Sequence, residues 1–143
     1  MKENKKLIVY FSYTGNTKKI AEKVCKEVKA DMVEIETVIP YGENYNQVVQ
    51  QGKEEVERGF KPKIKKLKVD LAQYDIIILG TPVWWYTMAP AVFTFLTDNN
   101  LTDKVIIPFA TNGGWIGHTF EDIKKACPRS EMREGLDLSL IHI

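Results

Sequence analysis

The chain has 143 residues, 44% of them apolar, and its twenty basic residues against nineteen acidic ones leave a formal charge of +1. That length suits one domain spanning residues 1–143, and the apolar share is enough to fill its core. The near-neutral balance carries no electrostatic footprint for nucleic acid or for a membrane surface as partner.

The chain starts Met-Lys-Glu-Asn-Lys-Lys and continues into an apolar run over 7–12, too short for a signal peptide core or a spanning helix. A cytoplasmic location is expected. Leu7-Ile-Val-Tyr-Phe-Ser12 reads as a strand buried on both faces, and it runs directly into Tyr13-Thr-Gly-Asn-Thr17. Ile20, Ala21, Val24, Cys25 and Val28 then form one helical stripe. The turn therefore sits at a helix N-terminus, where free backbone N–H groups and the helix dipole favour a phosphate. Ser12, Thr14 and Thr17 add hydroxyl donors, and Gly15 permits close backbone approach. The same residue types are also common helix caps. An NTPase loop needs Gly-Lys-Ser/Thr and a dinucleotide loop needs three spaced glycines; neither is present.

Beyond the first helix, strands and helices alternate, which predicts a doubly wound parallel sheet with helices on both faces. Met32–Glu36 alternates and reads as an edge strand, whereas Asp75–Gly80 and Lys104–Ala110 are near-continuous apolar runs and read as central. Pro108 lacks a ladder donor, so its strand should lie near an edge or be bulged there. A polar helix is expected around Tyr45 to Arg58 and an apolar-faced one around Ala89 to Leu96. A further helix opens at Thr119, with Asp122 at capping-box spacing. A last strand is expected near Glu134 to Leu138.

Ligands of such sheets bind outside the carboxyl ends of the strands, so the loops after the first, third and fourth strands should converge. The third-strand loop, Gly80-Thr-Pro-Val-Trp-Trp-Tyr-Thr-Met-Ala-Pro90, holds three adjacent large aromatics between two prolines. Aromatics at a solvent-facing tip are costly unless covered, and a flat aromatic ligand would cover them. Folding back onto the core, or facing a partner protein, would do so as well. The fourth-strand loop, Thr111-Asn-Gly-Gly-Trp-Ile-Gly117, is rich in glycine and can bring backbone amides to a ring edge, or can be a plain flexible turn.

Cys25 and Cys127 make neither a CxxC motif nor a metal site and read as packing residues. Asn100-Leu101-Thr102 matches the glycosylation sequon, which has no meaning without export. His118 and His142 form no pair, and His118 reads as a surface residue rather than an acid catalyst.

Ser-x-Thr-Gly-Asn-Thr at the first helix, together with Thr81-Pro-Val-Trp-Trp85 and Gly113-Gly114, resembles the flavodoxin family over nearly the whole chain. The resemblance implies a three-layer, doubly wound, five-stranded parallel sheet of order 2-1-3-4-5 that binds FMN. It places the cofactor on Ser12, Tyr13, Thr14, Gly15, Asn16 and Thr17 of the first loop and on Thr81, Pro82, Val83, Trp84, Trp85 and Tyr86 of the third. Thr111, Asn112, Gly113, Gly114 and Gly117 complete the set, with no catalytic side chain and no metal. Pro40–Tyr45 resembles the family's second connection, so Tyr41 or Tyr45 either approaches the cofactor or anchors the core.

The family's chemistry is redox chemistry borne by the flavin, either as an electron carrier or as an oxidoreductase. The implied partner is a redox protein or a small-molecule electron acceptor. The alternatives are an NAD(P)H:quinone reductase of the same fold and a flavin-free interaction module; a receiver-like domain would show clustered acids where Ser12 and Thr14 stand. A dry aromatic pocket with few cations is expected to disfavour the doubly reduced, anionic flavin.

This chain departs from its relatives in three respects. Electron-shuttling flavodoxins are strongly acidic, and this chain is not. Tyr86 stands where relatives often have glycine, which bears on the peptide geometry near flavin N5. The closing C-terminal helix is expected to be missing, which should expose the sheet and make binding depend on a homodimer. Leu138-Ser-Leu-Ile-His-Ile143 also resembles one reading frame of a transposon end used in sequencing libraries, which implies a truncated gene product.

Overall fold

A computed structural model describes residues 5–112 and 115–139, the side chains of 136–139 excepted. Its strands are β1 (Lys6–Tyr10), β2 (Asp31–Glu34), β3 (Ile76–Trp84), β4 (Thr87–Met88), β5 (Val105–Asn112), β6 (Glu131–Met132) and β7 (Leu136–Ser139). The helices are α1 (Asn16–Val28), α2 (Tyr45–Arg58), α3 (Pro90–Asp98) and α4 (Thr119–Ala126). The parallel sheet runs β2-β1-β3-β5, with β6 and β7 sharing the fifth position beside β5. This is the doubly wound order expected from the sequence. β4 folds back antiparallel on the end of β3.

The continuous apolar runs are explained by burial on two faces. Leu7, Val9, Ile77, Leu79 and Ile106 join a core with Val92, Phe95 and Leu96 of α3 and Ile123 of α4. Ile8, Tyr10, Ile76, Ile78 and Phe109 point the other way, where Ala21, Ile20 and Val24 of α1 cover them. Alternate residues of one strand thus feed two cores.

Several expectations are corrected. β3 continues to Trp84 and β5 to Asn112, so much of what reads as loop is strand. These extensions carry the pairing Thr81↔Ala110 and Pro82↔Thr111. Pro108 pairs in register with Leu79 of β3 without a bulge, and β5 is the strand next to the edge position, so the near-edge expectation holds. The carbonyls of Lys104 and Ile106 accept from Glu131 and Arg133, so even-numbered residues of β5 face the fifth position. The N–H that Pro108 lacks falls in the gap between β6 and β7. On the α1 face, among the described residues, half-buried Val105 and Ile107 of β5 and exposed Met32 of β2, which pairs with Ile8, are the apolar strand side chains left open; Ile76, Ile78 and Phe109 are buried. Phe109 lies over Gly80, where a Cβ would come within 2.3 Å of its ring.

Both cysteines pack, as expected, Cys127 buried in one core and half-buried Cys25 against the other, and both are free. Among the described residues no helix is long and apolar enough to cross a membrane.

Candidate functional site

The loops after β1, β3 and β5 meet at one cavity of about 340 Å3 at the carboxyl ends of the strands. Tyr13, Thr14 and Asn16 line it from the first loop, Pro82 to Trp85 from the third, and Thr111 and Asn112 from β5. One wall comes from α2: Tyr45, for which an approach to the site was one of the two readings, and Val48, Val49 and Gly52, which lie outside the expected set. Gly52 was legible as a signal, because glycine inside a helical pattern costs about 1 kcal/mol and often marks a close approach. A Cβ there would lie 3.2 Å from Trp84 Cε3.

At the first loop, Gly15 adopts φ 97° to start α1. The Ser12 hydroxyl accepts from the N–H groups of Gly15 at 3.1 Å and Lys18 at 3.3 Å. The first turn of α1 holds no acidic residue, so apart from the Ser12 hydroxyl no side chain of its own first turn neutralises the positive dipole end. Thr17 is 1% exposed and shares a hydrogen bond of 2.8 Å with Thr111, tying the α1 start to the end of β5 from inside.

The paired tryptophans take different places. Trp84 meets Phe11, Tyr13 and Tyr41 edge to face, with centroids 5.6, 6.1 and 5.1 Å away. Trp85 Nε1 donates to the Val49 carbonyl at 2.9 Å, and Lys53 Nζ stands 5.5 Å from the centre of its ring. Both rings are therefore fixed against α2 and the loop before it, which combines the ligand-facing and fold-back readings of the sequence. Trp85 and Tyr86 are the two turn residues between β3 and β4, and both have positive φ, 50° and 71°. That is the pattern of a type I′ hairpin, whose usual residues are Asn and Gly. Tyr86 stacks at a tilt on Trp115, centroids 5.1 Å apart, and both are exposed.

Thr81 is buried and donates to Pro82 O while accepting from Ala89 N, so it braces the hairpin base. Gly117 packs on the Tyr86 backbone. Gly113 and Gly114 lie outside the described residues. Tyr41 resolves as a core anchor: its hydroxyl donates to Glu55 Oε1 at 2.7 Å. Burial, and then the Glu55 carboxylate, hold its phenol well above the usual tyrosine range. The capping box expected at α4 does not form. Thr119 is the first helical residue, its hydroxyl donates to Ile116 O, and Asp122 Oδ2 takes Thr87 Oγ1 and His118 Nδ1. One remote partner, Thr87, and two local ones, Ile116 and His118, take the groups the box would use.

A family model for flavodoxin matches residues 5–140. The chain belongs to the flavodoxin family. It is 26% identical over 103 residues to a flavodoxin of Haemophilus influenzae, a match spanning 69% of this chain but only 45% of that protein. A crystal structure described as a flavoprotein of Bacteroides eggerthii superposes with TM-score 0.87 at 33% identity, covering 95% of this chain and 89% of that one. A flavoprotein of Lactobacillus acidophilus solved in complex with FMN gives TM-score 0.84 at 23% identity, with 94% and 93% coverage, a likeness of fold.

The donor set suits a phosphorylated flat ring. The lining combines Thr14, Asn16 and the start of α1, whose first turn has no acidic side chain, with the aromatic rings of Trp84, Trp85 and Tyr45.

Proposed function

We propose that this chain is an FMN-binding protein of electron transfer or oxidoreduction, with the flavin held by the loops after β1, β3 and β5. The observation that carries this reading is the single cavity on which a helix N-terminus and a fixed aromatic pair converge. Bound FMN supplies chemistry that accepts and releases electrons one or two at a time. The protein's part is to bind and orient. The hydroxyls of Ser12 and Thr14 and the amides opening α1 hold the phosphate. Trp84 and Trp85, locked by Tyr41 and by the Val49 carbonyl, give the ring a rigid wall. Thr111 and Asn112 present polar groups at its edge. The exchange partner we propose is a redox protein or a small-molecule acceptor, and the site residues are those expected from the sequence, with Thr17 and Thr81 as buried braces rather than ligand contacts, together with Tyr45, Val48, Val49 and Gly52.

The reading is tested by adding FMN to flavin-free protein and following flavin fluorescence. Stoichiometric quenching that weakens in Trp84→Ala and Trp85→Ala supports it. Absence of quenching by a protein shown folded by circular dichroism would exclude it.

A further inference from the structure

A second cavity, of about 330 Å3, lies between α2, β4, α3 and α4 and shares no lining residue with the first. Its wall is apolar and partly aromatic: Val56, Phe60, Met88, Pro90 and Phe93. Such a volume and lining are typical of a site for a small molecule.

The polar groups at this cavity select what it can hold. Glu55 reaches it, but its oxygens are occupied, Oε1 by Tyr41 and Oε2 by Gln51 at 2.8 Å. Asp122 Oδ2 accepts from Thr87 Oγ1 at 2.5 Å and pairs with His118 Nδ1. A carboxylate on Nδ1 keeps the proton there, so Nε2 of the neutral ring is an acceptor. His118 lines the cavity, and its side chain is 55% exposed, which leaves the ring accessible. Among the lining residues Glu55 and Asp122 carry carboxylates and Lys125 an ammonium. An anion meets two carboxylates, while a cation meets Lys125 and carboxylates already engaged in hydrogen bonds, so neither is favoured.

We propose that this cavity binds a neutral, one- or two-ring aromatic alcohol, its ring against Met88, Phe60 and Phe93 and its hydroxyl donating to His118 Nε2. Aromatic and thioether walls favour a flat ring over an aliphatic chain. The Asp122-held imidazole is what distinguishes the alcohol from its hydrocarbon parent. The site stands independently of the FMN reading.

The test is a titration of 2-naphthol and of naphthalene into protein labelled at the methionine methyls. Met88 reports the cavity, and Met32, on β2, is the control. The expected result is a saturable shift of Met88 alone, with 2-naphthol bound about three- to tenfold more tightly than naphthalene. In His118→Ala that preference disappears. His118→Asn, which keeps an amide to meet Asp122 but has no Nε2, gives the same loss with less structural risk. An unmoved Met88 methyl, or a preference for 2-naphthol that persists in both variants, would overturn the proposal.

Discussion

The main-chain carbonyl of Tyr86 accepts a hydrogen bond of 2.8 Å from the N–H of His118, so the hairpin after β3 is clasped by the segment leading into α4. Gly117 makes the clasp possible. Its φ is +59°, and a Cβ on it would sit 2.4 Å from Tyr86 O. We expect Gly117→Ala to force the two segments apart and to cost about 2 kcal/mol from the left-handed backbone alone, with more from the clash. A melting temperature within a degree of the parent would contradict this account, and FMN affinity should fall together with stability.

The Trp85-Tyr86 turn holds two bulky residues at positive φ, at a cost of about 1–2 kcal/mol each. Two substitutions at Tyr86 isolate that cost, because both remove the ring and its contact with Trp115. Tyr86→Gly should be more stable than Tyr86→Ala by about 1 kcal/mol, the reverse of the order at an ordinary position. Chemical denaturation of the two variants measures the difference directly.

Thr17 and Thr111 are 1% and 3% exposed, and their hydroxyls are 2.8 Å apart. Either Thr→Val change leaves a buried hydroxyl without this partner and should cost about 1–3 kcal/mol. The double variant Thr17→Val/Thr111→Val removes both polar groups and should recover part of that loss. Strict additivity in the cycle would show that the pair is not coupled.

Tyr41 and Glu55 lie between the aromatic cluster and α2. Glu55 is 3% exposed, so Tyr41→Phe leaves its carboxylate only the Gln51 amide among these contacts, and should cost about 1–3 kcal/mol. The pH dependence follows from the raised phenol pKa. Above the usual value of 10.0 the unfolded chain loses this proton while the folded one retains it, so stability falls as pH rises past 10. Tyr41→Phe removes that part of the alkaline slope, which melts at pH 9 and pH 11 would detect.

The central strands, the helix from Tyr45 to Arg58 and the three meeting loops were legible because each depends on local pattern: apolar runs, helical stripes and turn residues. The hairpin at Trp85 and Tyr86 was not legible, since its residues lack any turn signature and adopt positive φ only because β4 pairs with β3 and the carbonyl of Tyr86 is held by His118. The α4 cap failed for a related reason, because Asp122 finds Thr87 across the fold as well as His118 at the start of its own helix. The contribution of α2 to the site was foreshadowed at Tyr45 and signalled at Gly52, whose missing side chain is a spatial requirement rather than a helical preference, and was otherwise hidden.

The sequence by itself determined a doubly wound sheet, the position of the phosphate-type loop and the concentration of aromatics after β3, because burial on two faces and backbone chirality act on neighbours along the chain. Only the tertiary structure decided which hydroxyls face the cavity and which, like Thr17 and Thr81, are spent inside the fold. It also decided that Trp84 and Trp85 are fixed walls and that His118 is held by Asp122 beside a second cavity. Thr17 with Thr111, Trp85 with Val49 and Tyr41 with Trp84 join residues tens of positions apart, at distances that only packing sets.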